Sequence, residues 1–528
     1  MFEVWKKPTH LLYISSFIVS ICGIIYQMLL GAAGSYLMGS SILSYAIAVG
    51  GSLSGMGVGA IISERMKKHL IERIIGIEYI IGPVGASSTL IIYMMFSVVG
   101  SDTASVFFCL LIFILGCLTG MELPILIREA EKRGDELKKS AARTLFSDYA
   151  GSLIGTLGFA LLLSPWLGYI QTAFFVGLIN VAIAFWLSLA FRKEIQKPRS
   201  SQIIGIILLI ILGSGFLFGN SYAALLEQRM YDNPVVINED TPYQRIVGTI
   251  APGDFRFYLN GNLQFAESDE YRYHESLVHP GMGLLQHQQK DANNTEDEGE
   301  ETGIDVLIMG GGDGLAIREM IPYDNIDSMK LVDLDPKVTE LAKSNPHLTD
   351  INEHSLEDER VSITHGDAFS FIKESEKTYD LILSDLPDPN SLELSKLYSR
   401  ELYGLMYDRL DENGVAVVQS TSPVFARKSY WTISETIRGA GFYVDNFHVD
   451  IPSFGNWGFT IATKKPFNVS DINIPEQADT KYLHTDMVSS LFQFGKDETK
   501  AIDGFSYQEN TINHPVLADL YNKAWRFY

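Results

Sequence analysis

Cysteine is scarce in this sequence. The 528 residues include three cysteines, Cys22, Cys109 and Cys117, whose spacing matches no metal-ligand motif, so a disulfide scaffold is excluded and no metal site is predicted. Basic residues are also in deficit: 41 Lys and Arg stand against 63 Asp and Glu, a formal net charge of −22. This deficit excludes a basic nucleic-acid-binding protein, and 47% apolar residues exclude a disordered chain.

Charge is unevenly distributed along the chain. Residues 1–221 carry 16 Lys and Arg and 12 Asp and Glu, whereas residues 222–528 carry 25 and 51. All three cysteines fall in the first part. The sequence therefore predicts two parts of different character, an apolar and slightly basic one followed by a polar and acidic one.

Long apolar runs fill the first part. A helix needs about 20 apolar residues to cross a bilayer core of about 30 Å. Residues 1–221 are therefore predicted to form an all-α domain that contacts the lipid bilayer of a cell membrane, with about seven transmembrane helices. The seven stretches that qualify are 11–33, 41–63, 74–99, 104–127, 147–168, 171–191 and 203–220.

Lys and Arg occur in alternate connections between these stretches. They precede the first stretch and follow the second, fourth and sixth, and the other three connections contain none. This pattern is typical of a protein whose N-terminus lies in the cytoplasm. Seven crossings would place residues 222–528 outside the cell. We favour the cytoplasmic side for them, which requires that one stretch, such as 203–220, is re-entrant or interfacial.

Three carboxylates lie in or near the ends of the predicted spans: Glu78, Glu122 and Asp148. Because charge is costly in a membrane, they are candidates for a functional role. The simpler alternative for Glu122 and Asp148 is that they mark the cytoplasmic ends of the fourth and fifth spans. The span composition identifies no cargo.

Short apolar runs alternate with helical patterns from residue 304 onward. The alternation predicts an α/β doubly wound domain of the methyltransferase-like Rossmann class over 281–528. A small β-rich part, 222–280, precedes it, and the acidic stretch 289–303 is predicted to be a disordered loop. The predicted strands are 304–309, 329–334, 361–364, 381–384, 415–419, 441–449 and 457–463 in the large domain, and 245–250, 256–259 and 263–266 in the small one.

Polar residues follow the first two strands of the large domain, where such sheets bind ligands. The first strand leads into the turn Gly310–Gly314, which allows close backbone approach to a nucleotide-like ligand. Asp333 follows about 20 residues later, the usual position of a ribose-binding acid. Asp313 within the turn would repel a pyrophosphate, so a ligand with a cationic end is expected.

Asp385 and Asp388 follow the fourth strand on a proline-containing loop. Two carboxylates there could hold an ammonium group or accept its proton. A primary amine, with a pKa of about 10.4, becomes a nucleophile only after losing that proton. The alternative is a turn and helix cap, where Asp and Pro are common.

Residues 240–465 resemble the spermidine synthase (polyamine aminopropyltransferase) family, and the whole chain is similar to its membrane-bound, multi-span branch. The resemblance rests on an ordered set of motifs: Tyr243-Gln244, Leu259–Gln264, Asp269–Glu275, Gly310–Gly314, Val332–Pro336, Gly366–Ala368, Asp385–Pro389, Leu397–Ser399 and Trp457–Phe459.

The resemblance implies an enzyme that transfers an aminopropyl group from decarboxylated S-adenosylmethionine to an amine such as putrescine. The products would be spermidine and methylthioadenosine. Decarboxylated S-adenosylmethionine is then a co-substrate, and neither a cofactor nor a metal is implied. A homo-oligomer and no nucleic-acid partner are expected.

The resemblance also implies roles for individual residues. Asp385 would be the catalytic residue, as proton acceptor. Nine further residues would bind substrates: Gln244 and Gln264 in the donor or amine site, Tyr273 and His274 where the two sites join, Asp313 at the donor's ammonium, Asp333 at the ribose, Asp367 and Ala368 at the adenine, and Asp388 at the far end of the amine.

Two departures from the family pattern bear on the substrates. Asp333 stands where the family usually has Glu, so its carboxylate reaches one methylene less far. The stretch Ile451–Asn456 is shorter than its counterpart, and Phe454 replaces a Tyr whose hydroxyl helps to bind the amine. The second departure puts putrescine as the acceptor in question.

Two other functions are compatible with parts of the sequence. A methyltransferase that uses S-adenosylmethionine would share the glycine turn and the ribose acid. A polyamine transporter or sensor, or a combined synthase and exporter, would account for more spans than an anchor requires.

Overall fold

A computed structural model of the chain describes residues 8–38, 41–99, 101–228, 231–293, 303–502 and 504–525. The chain forms two compact units, Met1–Pro234 and Val235–Tyr528. The domain boundary predicted at residue 221 lies inside the last helix of the first unit, which continues to Gln228. Within the acidic stretch predicted to be disordered, residues 294–302 lie outside the described residues.

The first unit is helical throughout its described secondary structure. Apolar side chains such as Ile74 and Ile125 fill its interior, and others such as Phe107, Leu161 and Ile210 are exposed on its surface. A helix that is apolar all round suits a lipid environment. The helices are α1 (Pro8–Met38), α2 (Ser41–Ser63), α3 (Leu70–Val99), α4 (Ser101–Lys132), α5 (Leu137–Gly158), α6 (Ser164–Ala190) and α7 (Pro198–Gln228).

Six segments of the described chain are long and apolar enough to cross a membrane. They confirm the prediction of an N-terminal region of membrane-type helices. The segments are Thr9–Ser35, Leu43–Ser63, Leu70–Met95, Thr103–Lys132, Leu137–Ala190 and Pro198–Gly219.

The fifth segment contains two of the predicted spans, 147–168 and 171–191. Its 54 residues would extend about 80 Å as one straight helix, far more than a bilayer core of about 30 Å. The backbone leaves the helical conformation at Gly168, the last residue of the first of those two spans, with φ 66° and ψ −178°. The number of crossings, and with it the predicted count of seven, stays a prediction.

The second unit begins with a four-stranded antiparallel sheet in the order β1-β2-β3-β4. The last three strands confirm the predicted ones, and Asn260 and Gly261 between β3 and β4 have positive φ, as a two-residue hairpin turn requires. Phe255 and Phe265 of this sheet pack against Leu315 and Leu341. The strands are β1 (Val235–Asp240), β2 (Arg245–Ala251), β3 (Asp254–Leu259) and β4 (Asn262–Ala266).

A seven-stranded sheet forms the centre of the second unit, in the order β10-β11-β9-β8-β5-β6-β7. It confirms the predicted doubly wound α/β fold class and all seven predicted strands. Neighbours from β9 to β7 pair in parallel, whereas β11 pairs antiparallel with both β9 and β10. The strands are β5 (Ile304–Gly310), β6 (Ile326–Asp333), β7 (Val361–His365), β8 (Tyr379–Asp385), β9 (Leu410–Gln419), β10 (Tyr443–Ile451) and β11 (Gly455–Thr463).

Helices cover both faces of this sheet. Along β5, Val306 and Ile308 belong to one hydrophobic core and Leu307 and Met309 to another, because successive side chains point to opposite faces. Burial on both faces explains why the strands are continuous apolar runs. The helices are α8 (Glu270–Asn293), α9 (Leu315–Arg318), α10 (Pro336–Ser344), α11 (Pro346–Asn352), α12 (Ala368–Glu374), α13 (Leu392–Ser395), α14 (Arg400–Arg409), α15 (Arg427–Gly439), α16 (Thr485–Leu491) and α17 (Leu517–Trp525).

Candidate active site

The glycine turn after β5 allows two strand ends to meet. Gly310, Gly311 and Gly314 have φ of 83°, 70° and 84°, a region that residues with side chains rarely adopt. A side-chain carbon on Gly310 would lie 1.9 Å from the backbone oxygen of Asp385. The absence of side chains therefore lets the end of β5 lie directly against the end of β8.

Asp385, at the end of β8, is held by a residue of α8. The Tyr273 hydroxyl donates a hydrogen bond of 2.5 Å to its Oδ1. The other carboxylate oxygen is directed toward the glycine turn, since a side-chain carbon on Gly311 would lie 3.2 Å from Oδ2. One oxygen is thus fixed by Tyr273, and the other faces the turn.

His274 is buried next to Tyr273 and belongs to an ion-pair network. Its Nδ1 lies 2.8 Å from a Glu270 carboxylate oxygen, and the Arg318 guanidinium binds both oxygens of Glu270 at 2.8 and 3.0 Å. Burial opposes the charged form of each group. The hydrogen bond and charge of the partner outweigh it, so the pKa of His274 is raised and that of Glu270 falls to about 2. The network fixes α8 against α9, close to the glycine turn.

Asp388 is held by three side chains, two at or just after the end of β9 and one on α17. Its Oδ1 accepts from Gln419 Nε2 at 3.0 Å, and its Oδ2 accepts from the Thr421 hydroxyl at 3.4 Å and the Tyr521 hydroxyl at 2.7 Å. Gln419 ends β9, and Tyr521 lies on α17. Thr421 has φ 62°, a left-handed conformation that is uncommon for a residue with a side chain.

Gln419 connects this group to the rest of the site. Its Nε2 also donates to the Leu386 carbonyl at 2.7 Å, and its Oε1 accepts from the Trp457 indole at 3.2 Å. Trp457 makes an edge-to-face contact with Phe454 at 5.1 Å, and Phe454 lies 6.2 Å from the Tyr273 ring. Phe454 therefore forms an aromatic wall that joins Tyr273, which binds Asp385, to Trp457, which binds Gln419.

Asp313 and Asp333 lie at the ends of β5 and β6. Asp313 accepts from the backbone of Leu315 at 2.9 Å, which anchors it at the start of α9. Asp333 accepts from the backbone of Gly312 at 3.0 Å and of Asp335 at 2.9 Å. Asp313 interacts electrostatically with both Asp333 and Asp385, so three of the predicted carboxylates meet at the glycine turn.

Burial makes these carboxyl groups unusually weak acids. It raises the pKa of Asp313 to about 6, against the opposing charge of His274, and Asp385 adds to the rise. It also raises the pKa of Asp388 to about 6, although three hydrogen bonds oppose it. The pKa of Asp385 is raised by burial against the effects of His274 and Tyr273. Among the described residues, these three carboxylates make no ion pair with a lysine or arginine.

The residues predicted to contact adenine follow β7. Asp367 accepts from Ser370 at 2.9 Å and from the Lys396 ammonium at 3.0 Å. Burial opposes its ionisation, but these partners outweigh it and lower its pKa. Ala368 is buried and begins α12. Both are placed at a strand end next to Asp333, since β7 pairs with β6.

The two predicted glutamines lie on the small sheet and its loops. Gln244 donates to Asp335 at 3.1 Å, and Thr241 donates to the same oxygen at 2.7 Å, so this part of the small sheet is attached beside Asp333. Gln264 donates to the Asn262 carbonyl at 3.1 Å. No hydrogen bond among the described residues joins Gln264 to the strand-end carboxylates.

Four residues of the site were not predicted from the sequence: Glu270, Gln419, Thr421 and Tyr521. Gln419 and Thr421 had a usable indication, because Gln419 ends a predicted strand and Thr421 follows it, much as Asp385 follows another. Tyr521 had none, because α17 comes after the last strand and its position depends on tertiary packing.

Together the site is a buried group of carboxylates around a glycine turn, with a partly aromatic wall. Such a site favours ligands that carry two or more positive charges. Asp385, with one oxygen toward the turn, is placed to accept a proton from a bound ammonium group.

Comparisons with known proteins are consistent with this chemistry. Residues 270–473 match the family model described as "Spermine/spermidine synthase domain". The polyamine aminopropyltransferase of Oceanobacillus iheyensis is 43% identical over 99% of this chain and 99% of its own. That of Leptospira interrogans is 35% identical over 97% and 98%. A solved spermidine synthase in complex with the transition-state analogue AdoDATO is 23% identical and covers 49% of this chain and 84% of its own, with a TM-score of 0.42.

Proposed function

This chain belongs to the polyamine aminopropyltransferase family, and we propose that the Asp385 site transfers an aminopropyl group from decarboxylated S-adenosylmethionine to putrescine. The observation that supports this assignment is the meeting of Asp313, Asp333 and Asp385 at the glycine turn. The donor has a nucleoside, a sulfonium and a primary ammonium, and the acceptor has two ammonium groups. Buried carboxylates that make no ion pair with a lysine or arginine of the described chain suit that pair of cations.

On the donor side, the strand ends can be matched to parts of the ligand. Asp333 would bind the ribose hydroxyls, and Asp367 and Ala368 would contact the adenine. Asp313 would hold the ammonium of the aminopropyl chain. Gln244 supports this side through Asp335, and Gln264 would contact a ligand only if its side chain turns away from Asn262.

On the acceptor side, Asp388 would bind the far ammonium of the diamine and Asp385 the reacting one. Asp385 takes a proton from the reacting nitrogen, which makes its lone pair available. That nitrogen then forms a bond to the methylene next to the sulfonium, the carbon–sulfur bond breaks, and methylthioadenosine leaves as a neutral thioether. Tyr273 orients Asp385, so the enzyme contributes positioning and proton removal.

The identity of the amine depends on the wall that Phe454 forms. A phenyl ring at this position contacts the methylene chain of a diamine and offers no hydrogen bond to its nitrogen. Putrescine is retained as the acceptor because Asp388 already has three donors that hold it for a distal ammonium. A panel of diamines of increasing length would measure the preference directly.

Neither alternative function is favoured by the comparisons. Relatives along the whole chain are named as aminopropyltransferases, and the named enzymes include the membrane-type region within the matched length. S-adenosylmethionine also carries an ammonium group, so Asp313 alone does not separate the two donors, and the names of the relatives are what disfavours a methyltransferase. A binding-only sensor has no use for a proton acceptor beside the glycine turn.

We also propose that the catalytic unit faces the cytoplasm and that the protein is a homo-oligomer. The first proposal is supported by the charge of the donor, which prevents its diffusion across a bilayer. Since residues 222–528 lack cysteine, Ser470→Cys on the exposed surface would report the side. Protection of this cysteine from an impermeant maleimide in intact cells is expected, and labelling above the level of the native protein would refute the cytoplasmic placement.

The decisive experiment is a product assay. The purified protein, incubated with decarboxylated S-adenosylmethionine and putrescine, should release methylthioadenosine and spermidine, identified by mass spectrometry. Asp385→Asn should lower kcat by about 10²–10⁴-fold, the usual contribution of a general base. Asp380→Asn is a matched control, because Asp380 lies on the same strand and accepts from the Asp305 backbone away from the site. Full activity of Asp385→Asn would overturn the assignment of the base.

A further inference from the structure

Two buried carboxyl groups lie inside the helical bundle of the first unit. Glu78 on α3 is 1% exposed and Glu122 on α4 is 6% exposed. Their carboxyl groups lie within hydrogen-bonding reach of each other. Neither makes an ion pair with a described lysine or arginine. By contrast, Glu129, which lies on α4 with Glu122, pairs with Arg133 at 2.7 Å.

The two groups lie at similar distances from the ends of their helices. Glu78 lies eight residues after the start of α3, and Glu122 lies ten residues before the end of α4. At 1.5 Å per residue these are about 12 and 15 Å from the helix ends on the side that is predicted to be cytoplasmic. Within the predicted spans 74–99 and 104–127 they lie four and five residues from these ends, so the case for a site rests on their burial and not on their depth.

A third polar group from α6 is fixed against Glu78. Asn180 is 1% exposed, and its Nδ2 donates to Glu78 Oε2 at 2.5 Å. The close approach of α3 and α6 makes this possible, since a side-chain carbon on Gly82 would lie 3.2 Å from the Gly177 carbonyl oxygen. The backbones approach closely where side chains are small, one turn away from the polar pair.

Four buried oxygens of this group have no hydrogen-bond partner among the described residues: Glu78 Oε1, Glu122 Oε1, Asn180 Oδ1 and Tyr26 Oη. Tyr26, on α1, is 2% exposed, and its ring lies against Gly85, on the face of α3 that carries Glu78. Its hydroxyl interacts electrostatically with Glu78. A cavity of about 10 Å³, roughly one water molecule in size, adjoins Tyr26 and Thr119, one turn before Glu122.

Two adjacent carboxylates in an apolar interior cannot both stay ionised without a compensating positive charge. The other titratable groups that face them are Cys22 and Tyr26 from α1 and Asp148 from α5, and none of these supplies one. Asp148 instead accepts a hydrogen bond from Ser20. The unpartnered oxygens are the acceptors that a small cation requires.

We propose that Glu78, Glu122, Asn180 and Tyr26 form an exchangeable site for one positive charge within the membrane unit. A proton occupies it as a carboxylic acid, and the ammonium group of an amine competes for the same oxygens. When the amine enters, the carboxyl O–H bond breaks and the proton passes to water, so charge is conserved. The site is separate from the aminopropyl transfer chemistry and does not depend on it.

Dicyclohexylcarbodiimide tests this site, because it reacts with protonated carboxyl groups in apolar surroundings. The full-length protein in lipid vesicles is treated over a range of pH, with and without putrescine, and modified peptides are quantified by mass spectrometry. Modification of Glu78 or Glu122 should fall about tenfold per pH unit above the midpoint of the pair. Glu131→Gln, on the exposed surface of α4, is the control variant and should leave this behaviour unchanged.

The pH series and the addition of putrescine together distinguish a bound proton from a bound ammonium group. A decrease with pH but no protection by putrescine identifies a proton site, and protection at constant pH identifies an ammonium site as well. Infrared difference spectra between two pH values give a carboxyl band that needs no reagent access, and Glu122→Gln should remove it. Absence of both modification and a titrating band would overturn the proposal. Glu78→Gln and Glu122→Gln should release methylthioadenosine at the rate of the native protein. Equal rates verify that the variants are folded, and they separate a failure of the membrane site from a failure of the proposed enzymatic function.

Discussion

Removing a single hydroxyl group from α17 should change how the enzyme binds its acceptor at neutral pH. The Tyr521 hydroxyl donates to Asp388 at 2.7 Å, and Tyr521→Phe removes this bond while it keeps the ring near Trp525, 5.8 Å away. The remaining donors to Asp388 are Gln419 and Thr421, the second at a longer distance of 3.4 Å. The variant therefore tests the ionisation of Asp388 without emptying the space around it.

The magnitude follows from the bond that is lost. A hydrogen bond to a charged group contributes about 1.5–3 kcal/mol, which corresponds to about one to two pH units in the ionisation of its acceptor. Burial already raises the pKa of Asp388 to about 6, and the loss of a donor raises it further. At pH 7 the KM for putrescine should therefore rise about 2–10-fold, because a smaller fraction of Asp388 is ionised. At pH 9 the difference should nearly vanish, and kcat should change little at either pH.

The assay is the initial rate of methylthioadenosine release against putrescine concentration, from pH 6 to pH 9. Tyr507→Phe is the matched control, because its hydroxyl donates to the Lys500 carbonyl at 2.8 Å on the surface. A KM ratio that stays constant between pH 7 and pH 9 would show that Tyr521 does not act through the ionisation of Asp388. If Tyr507→Phe raised the KM for putrescine at pH 7 as much as Tyr521→Phe, the effect would not be specific to the hydrogen bond with Asp388.

Three further variants test other parts of the site. Asp313→Asn should raise the KM for the donor at least tenfold and leave the KM for the acceptor nearly unchanged. In the native protein the donor KM should rise about tenfold per pH unit below pH 6, because the pKa of Asp313 is raised to about 6 and its carboxylate becomes protonated there. Steady-state kinetics with each substrate varied in turn would check both predictions. Phe454→Tyr should lower the KM for putrescine by a few-fold, about the contribution of one hydrogen bond, and an unchanged KM would show that this wall does not contact the amine. Gly310→Ala should lower the melting temperature and the activity together, because its new carbon would lie 1.9 Å from the Asp385 backbone, and native-like melting would contradict the close strand contact.

The large sheet could be predicted because its central strands β5, β8 and β9 are buried on both faces, which leaves a continuous apolar run in the sequence. The carboxylates at the ends of β5, β6 and β8 followed from the same strands. Their roles toward each substrate stay predictions until they are tested.

The missing parts of the site share a physical cause. Tyr521 is separated from Asp388 by 133 residues, and Asn180 from Glu78 by 102. In both cases the contact is set by how helices pack, and helix packing leaves no local pattern in the sequence. The strand β1 was missed for a different reason, since only its first half, from Val235, is apolar.

The acceptor end of the site depends on a short element that cannot be stable alone. The helix α17 has nine residues, fewer than an isolated helix needs, and it is kept in place by contacts such as those of buried Leu517. It should therefore open locally at a lower free energy than the central sheet that holds Asp333. Mild heating or low denaturant would then weaken amine binding while the donor still binds, so the first functional loss on warming is acceptor affinity.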